Sequence, residues 1–199
     1  MRDPEHTKAT ILKESANLFN AQGYKATSLS DITTATGLTK GAIYKHFKNK
    51  EDLEQQALRS LGRQMFDILN KEIKDATSYE SKIEVFFTFF KNYLVNPPYA
   101  GGCPLLNSAV ESDDANPVLR QQSFGMLVTF KSTLRRIMES AKKRNHIKEN
   151  TDVDQMVHVY IATLEGAMMM SKLERNNDAI TTGIDFLRNL NQSILVAVK

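Results

Sequence analysis

The residue that most constrains this chain is Gly37, which stands between two stretches that each carry helix signals. Upstream, Ser28 and Asp31 have the S-x-x-D spacing of a helix start. There one side-chain oxygen takes an orphan N–H, and the acid meets the positive helix end. Leu29, Ile32 and Ala35 recur at helical spacing, and Gly37 supplies the left-handed residue that stops the helix. Downstream, Thr39 caps a second short helix from about Lys40 to His46, and Asn49 with Asp52 starts a third at about Lys50. Two short helices joined by a turn that contains glycine form a helix-turn-helix, whose second helix enters the DNA major groove.

The run L-x-D-I-x-x-A-x-G-L-x-x-G-x-I-Y-x-H-F-x-x-K-E-D-L, from Leu29 to Leu53, resembles the DNA-binding domain of the TetR family of bacterial repressors. With the helix in front of it, the resemblance covers about the first quarter of the chain. It implies a DNA-binding domain over 1–50 and a ligand-binding and dimerisation domain over 51–199. Thr39, Lys40, Ala42, Tyr44, Lys45 and His46 fall on the family's DNA-facing positions. Gly41 lets backbone approach the duplex. Tyr44 and His46 suit a phosphate or a thymine methyl, and Lys45 suits a guanine edge. Thr27, Ser28, Lys48 and Lys50 sit at helix starts, where N–H groups and cations suit phosphates. Many relatives carry an aromatic residue where this chain has Lys45, so no base preference carries over.

Charge supports one basic end. Residues 1–50 hold eight Lys/Arg and four Asp/Glu, a net +4, and with a total of +3 the remainder sums to −1. A basic head on a near-neutral body suits a polyanion partner met at one end. One cysteine excludes an internal disulfide framework and agrees with a reducing, cytoplasmic setting. The first residues lack the apolar core of a signal peptide, and no apolar run is long enough for a membrane.

The rest of the chain reads as helices, so the expected class is all-α with about nine of them. Pro4 opens a helix to about Gln22, and a long helix from Lys50 to about Asp75 would join head to body rigidly. After a polar break at Thr77–Ser81, an apolar helix spans Lys82–Val95. Further helices follow over Pro104–Glu111, Pro117–Asn145, Asp152–Glu174 and Asp178–Val198. Val157, Ile161, Leu164 and Met168 make one apolar stripe on the last pair, and Ile180, Ile184, Leu187, Ile194 and Val198 another. As in the TetR family, such stripes would pack a second subunit's pair into a four-helix bundle, the interface of a homodimer.

Cys103 precedes Pro104 at a helix start, where a thiol has a lowered pKa and reacts as thiolate; the alternative is a small packed residue. The segment GGCPLLNSAVE is similar to one in TetR-type regulators, some of which sense oxidants or electrophiles with a cysteine here. Phe86, Phe89, Phe90, Tyr93, Met126, Met168, Met169 and Met170 either line an apolar effector cavity or are simply core, and Glu165 would meet a cationic ligand. No catalytic constellation, zinc-ligand spacing, phosphate loop or dinucleotide fingerprint is present, so neither enzyme chemistry, a cofactor nor a metal is expected. The expected function is an effector- or thiol-released repressor on a double-stranded operator. The alternative is a constitutive DNA binder with no effector.

Overall fold

The computed structural model describes residues 3–95, 97–112, 114 and 116–196; the side chain of Tyr93, expected in an effector cavity, and Val198 lie outside the described residues. The described chain is all-α. Its helices are α1 Pro4–Gln22, α2 Leu29–Thr36, α3 Lys40–Tyr44, α4 Lys50–Asp75, α5 Tyr79–Val95, α6 Pro104–Ser112, α7 Pro117–Lys143, α8 Val153–Glu174 and α9 Asp178–Ile194. No described helix is long and apolar enough to cross a membrane.

Two compact units emerge. One comprises Met1–Asp67 with Pro98–Met126, and the other Ile68–Pro97 with Leu127–Lys199. These bounds differ from a division at residue 50 because the loop after Pro98 and α6 attach to the end of α1. Asn20 donates its amide to the carbonyls of Ala100 (2.6 Å) and Gly102 (2.9 Å). Asn107 of α6 donates back to the Asn20 carbonyl (3.0 Å) and the Gly101 carbonyl (3.0 Å). Glu111 accepts the backbone N–H of Tyr24 (2.8 Å) and of Lys25 (2.6 Å). Gly101, at φ 92°, is where the two backbones come closest: a Cβ there would lie 2.2 Å from the Asn20 carbonyl oxygen.

In the second unit, α8 packs on α9 and both pack on α5. Tyr79 donates to Asn191 Oδ1 (2.6 Å), as does Tyr160 (3.2 Å), so one buried amide oxygen joins all three helices. Such a buried polar group is stable only because it is bonded. Phe87 stacks on Tyr160 at 5.9 Å, and Phe90 lies 5.9 Å from both Phe89 and Phe130.

Three expectations change at helix ends and faces. The α5 helix begins at Tyr79, not Lys82, because the polar residues before it are its cap: Ser78 and Ser81 exchange backbone-to-hydroxyl bonds of 3.0 Å. The last helix stops at Ile194, because Leu195 turns extended and forms an antiparallel bridge with Ile147. The apolar stripes chosen for a dimer seam are largely interior to one chain. Val157, Leu164, Met168, Ile180, Ile184 and Leu187 are buried, and only Ile161 and Ile194 are half-buried. Contact between α8 and α9 themselves consumes those stripes. Gly183 lets the pair approach, since a Cβ there would meet the Ala167 Cβ at 3.0 Å.

Gly101→Ala should lower stability by at least about 2 kcal/mol, through the strained φ and the clash with the α1 backbone together. Urea unfolding of the variant against wild type checks this.

Candidate nucleic-acid interface

The interface is built on three capped helix starts in the first unit. At α2, the Ser28 hydroxyl accepts the Asp31 N–H (3.2 Å) while Asp31 accepts the Ser28 N–H (2.7 Å), a reciprocal capping box. Gly37, at φ 66°, closes α2 with its N–H on the Thr33 carbonyl. At α3, the Thr39 hydroxyl accepts the Ala42 N–H at 3.2 Å. At α4, Asn49 accepts the Asp52 N–H (2.8 Å) and Asp52 accepts the Lys48 N–H (3.0 Å). Each cap removes a stray N–H that would otherwise fray the turn.

Apolar anchoring fixes the orientation of the short α3. Ile32, Ile43, Phe47 and Leu53 are buried, so the opposite side of α3 faces outward. Regular helix ends at Tyr44, two residues before the expected end. The N–H groups of His46 and Phe47 still bond to the Ile43 carbonyl (3.0 and 3.1 Å), which holds His46 in a following turn. Thr39, Lys40, Gly41, Lys45, Lys48 and Ser28 are exposed, Tyr44 is 46% exposed, and Ala42 and His46 are half-buried.

Two residues expected to face DNA are turned to structural work. Thr27 is fully buried, and its hydroxyl donates to the Gly23 carbonyl at 2.7 Å. A hydroxyl so used has no proton left for phosphate. Lys50 donates to the Tyr24 carbonyl (2.7 Å), pairs with the buried Glu54 (3.0 Å) and lies over the Phe19 ring. Burial raises the Glu54 pKa, and hydrogen bonding and charge from Lys50 oppose that rise.

The Asn20, Asn107 and Glu111 cluster was missed in the sequence. Its only signal was an Asn and a Glu four residues apart on a short helix after two glycines. The same cluster supports Tyr24, which stacks on Phe19 at 5.2 Å. Burial first, then the carboxylates of Glu111 and Glu54, push the Tyr24 phenol well above its ordinary range, so it stays neutral.

The other expected site residues fall as follows. Phe86, Phe89, Phe90 and Met168 are buried in the second unit, as is Glu165 at 9% exposure. Met126 lies in the first unit, with its sulfur against Gly62. Met169 and Met170 are each 47% exposed, on the outer side of α8, so they line no interior. Cys103 is 2% exposed.

Comparison with known proteins matches this arrangement to one family. Residues 11–57 match the description "Bacterial regulatory proteins, tetR family", and residues 80–187, more than half of the chain, match "Tetracyclin repressor-like, C-terminal domain". The chain belongs to the TetR family. A TetR transcriptional regulator from Chloroflexus aurantiacus J-10-fl superposes with a TM-score of 0.94 at 32% identity, over 99% of this chain and 100% of that one. The HTH-type transcriptional repressor DhaR of Mycobacterium sp. (strain GP1) is 21% identical over 85% of this chain and 84% of its own. Over a shorter span, the transcriptional regulator AcrR of Shigella flexneri is 46% identical over 52 residues, 26% of this chain and 24% of its own. As a TetR-family member the chain is a transcriptional regulator, among relatives named as repressors.

Hydrogen bonds from Ser28 to Asp31, and from Gln56 and Lys48 to Asp52, hold both carboxyls below their ordinary pKa. The stabilisation is therefore complete above the unfolded-state value and is lost as pH falls through the lower folded-state value. Ser28→Ala should cost about 1 kcal/mol at neutral pH. It should also flatten the acid limb of stability below about pH 4. Urea midpoints measured across that range check both effects.

Proposed function

We propose that this TetR-family regulator represses transcription as a homodimer on a two-fold symmetric operator and is released by a small-molecule effector. The observation that carries the reading is the outward face of α3. Thr39, Lys40, Gly41, Tyr44 and Lys45 are exposed there on a helix anchored from behind by Ile43 and Phe47. Lys48 and the α2 start at Ser28 add phosphate contacts beside it. One head per half-site requires half-sites about 34–36 Å apart. The head over 1–50 is thus the DNA-binding domain, and 51–199 serve effector binding and dimerisation.

The dimer face proposed is the outer side of α8 and α9. Ala162, Gly166, Met169 and Leu173 follow the i, i+4, i+7, i+11 spacing of one helical stripe. Leu173 is 78% exposed, and Phe186 on α9 is 56% exposed. Large apolar side chains left in water at this density favour association. The effector reading draws on the aromatic wall of Phe86, Phe89 and Phe90, which suits an apolar ligand. The burial of Cys103 supports a non-covalent effector over thiol modification, since a reactive thiolate needs access.

Tyr44→Ala and Lys45→Ala should each weaken operator binding by roughly 1–3 kcal/mol while leaving fold and dimer unchanged. Fluorescence anisotropy on an operator selected from genomic fragments measures this, and full affinity in both variants overturns the assignment of α3. Leu173→Glu with Phe186→Glu should convert the dimer to monomer in light scattering, whereas an unaltered dimer moves the seam elsewhere.

A further inference from the structure

We propose that the second unit carries a site for a small organic anion, separate from operator and effector, in the hollow between the start of α5 and the end of α7. The hollow is about 230 Å³ and is lined by Lys82 of α5, Arg136 of α7, and Arg144 and His146 just beyond α7. Ser140 adds a hydroxyl to its wall, and Ile137 gives it an apolar side. Among the described residues, no carboxylate lines it.

What marks this hollow is that three basic side chains line it together, and among the described residues Lys82, Arg136 and Arg144 form no ion pair with an acid. Three like charges around one concavity repel one another, and an anion between them reverses the sign of that energy. The negative end of the α7 dipole explains basic residues in its last turn, as with Lys142 and Lys143. It does not explain Arg136, two turns earlier, or Lys82 on another helix. The positive end of α5, capped at Ser78, opens on the same hollow and adds to the attraction.

The wall is also held in place before any ligand arrives. The His146 N–H bonds to the Ala141 carbonyl (2.9 Å), and its carbonyl accepts the Val196 N–H (3.0 Å). The Ile147–Leu195 bridge fixes the next residue. Arginine pairs and hydroxyls match the oxygens of phosphate or carboxylate. The volume is below the usual range for drug-sized ligands. The ligand class is therefore a small anion with a phosphate head or paired carboxylates.

The test titrates the full chain with glycerol 3-phosphate and, separately, citrate, against chloride at matched ionic strength. At least one probe should raise Tm saturably. Its apparent affinity should fall at least tenfold in Arg136→Gln/Arg144→Gln and stay within twofold in Arg59→Gln/Arg63→Gln, which removes the same charge from α4. In wild type the His146 ring resonances should move with the titration while those of His6 do not, so the site is tested even if the first variant folds poorly. The responding probe tells a phosphate head from carboxylates. The absence of any saturable response, an equal response in both double variants, or unmoved His146 resonances would overturn the site.

Discussion

The first unit depends on one carboxylate. After Gly23 the chain leaves α1, and the N–H groups of Tyr24 and Lys25 have no helical acceptor. Both point at Glu111, eighty-odd residues along the chain, which accepts them at 2.8 and 2.6 Å. A carboxylate that accepts two amides makes bonds roughly twice as strong as neutral ones. This bond pair fixes where the chain re-enters after α1, and the proposed DNA-reading face is built from that turn. The Tyr24 carbonyl holds Lys50 of α4, and the Gly23 carbonyl holds Thr27 ahead of α2. The start of α2 and the start of α4 are thereby both referred back to α6.

Further hydrogen bonds attach the same stretch of α6 and its preceding loop to the end of α1. The Asn107 amide donates to Asn20 and to the Gly101 carbonyl across the same seam, and the Asn20 amide donates to the carbonyls of Ala100 and Gly102. Only glycine fits at 101, where the two backbones nearly touch. Losing a partner from this part-buried polar seam leaves a group with fewer bonds, and a buried group left with none costs about 1–3 kcal/mol. A small displacement of α6 relative to α1 would break specific bonds here, whereas a greasy contact would slide.

What was legible in the sequence follows the range of the physics. The caps at Ser28, Thr39 and Asn49 are local, within four residues, and each was found at its helix start. The helical class followed from spacing, and the family followed from the Leu29–Leu53 run. Long-range partners were not legible. Lys50 looked like a phosphate ligand because the sequence does not show the Tyr24 carbonyl and Glu54 that occupy it. Thr27 was misjudged for the same reason. The apolar stripes of α8 and α9 were real, but periodicity alone cannot say whether a stripe meets its own chain or another. The residues that remain outside, Leu173 and Phe186, fall on the sides the pattern did not favour.

The most direct measurement is hydrogen exchange at the Tyr24 and Lys25 amides in wild type and in Glu111→Gln. If α6 holds the turn through that carboxylate, replacing a charged acceptor with a neutral one should speed exchange at those two amides by about ten- to a hundredfold, the equivalent of roughly 1.5–3 kcal/mol. The amides of Leu58 and Leu61 in the middle of α4 should keep their protection. Unchanged exchange at Tyr24 and Lys25 would contradict the account, because the turn would then be held by something other than α6.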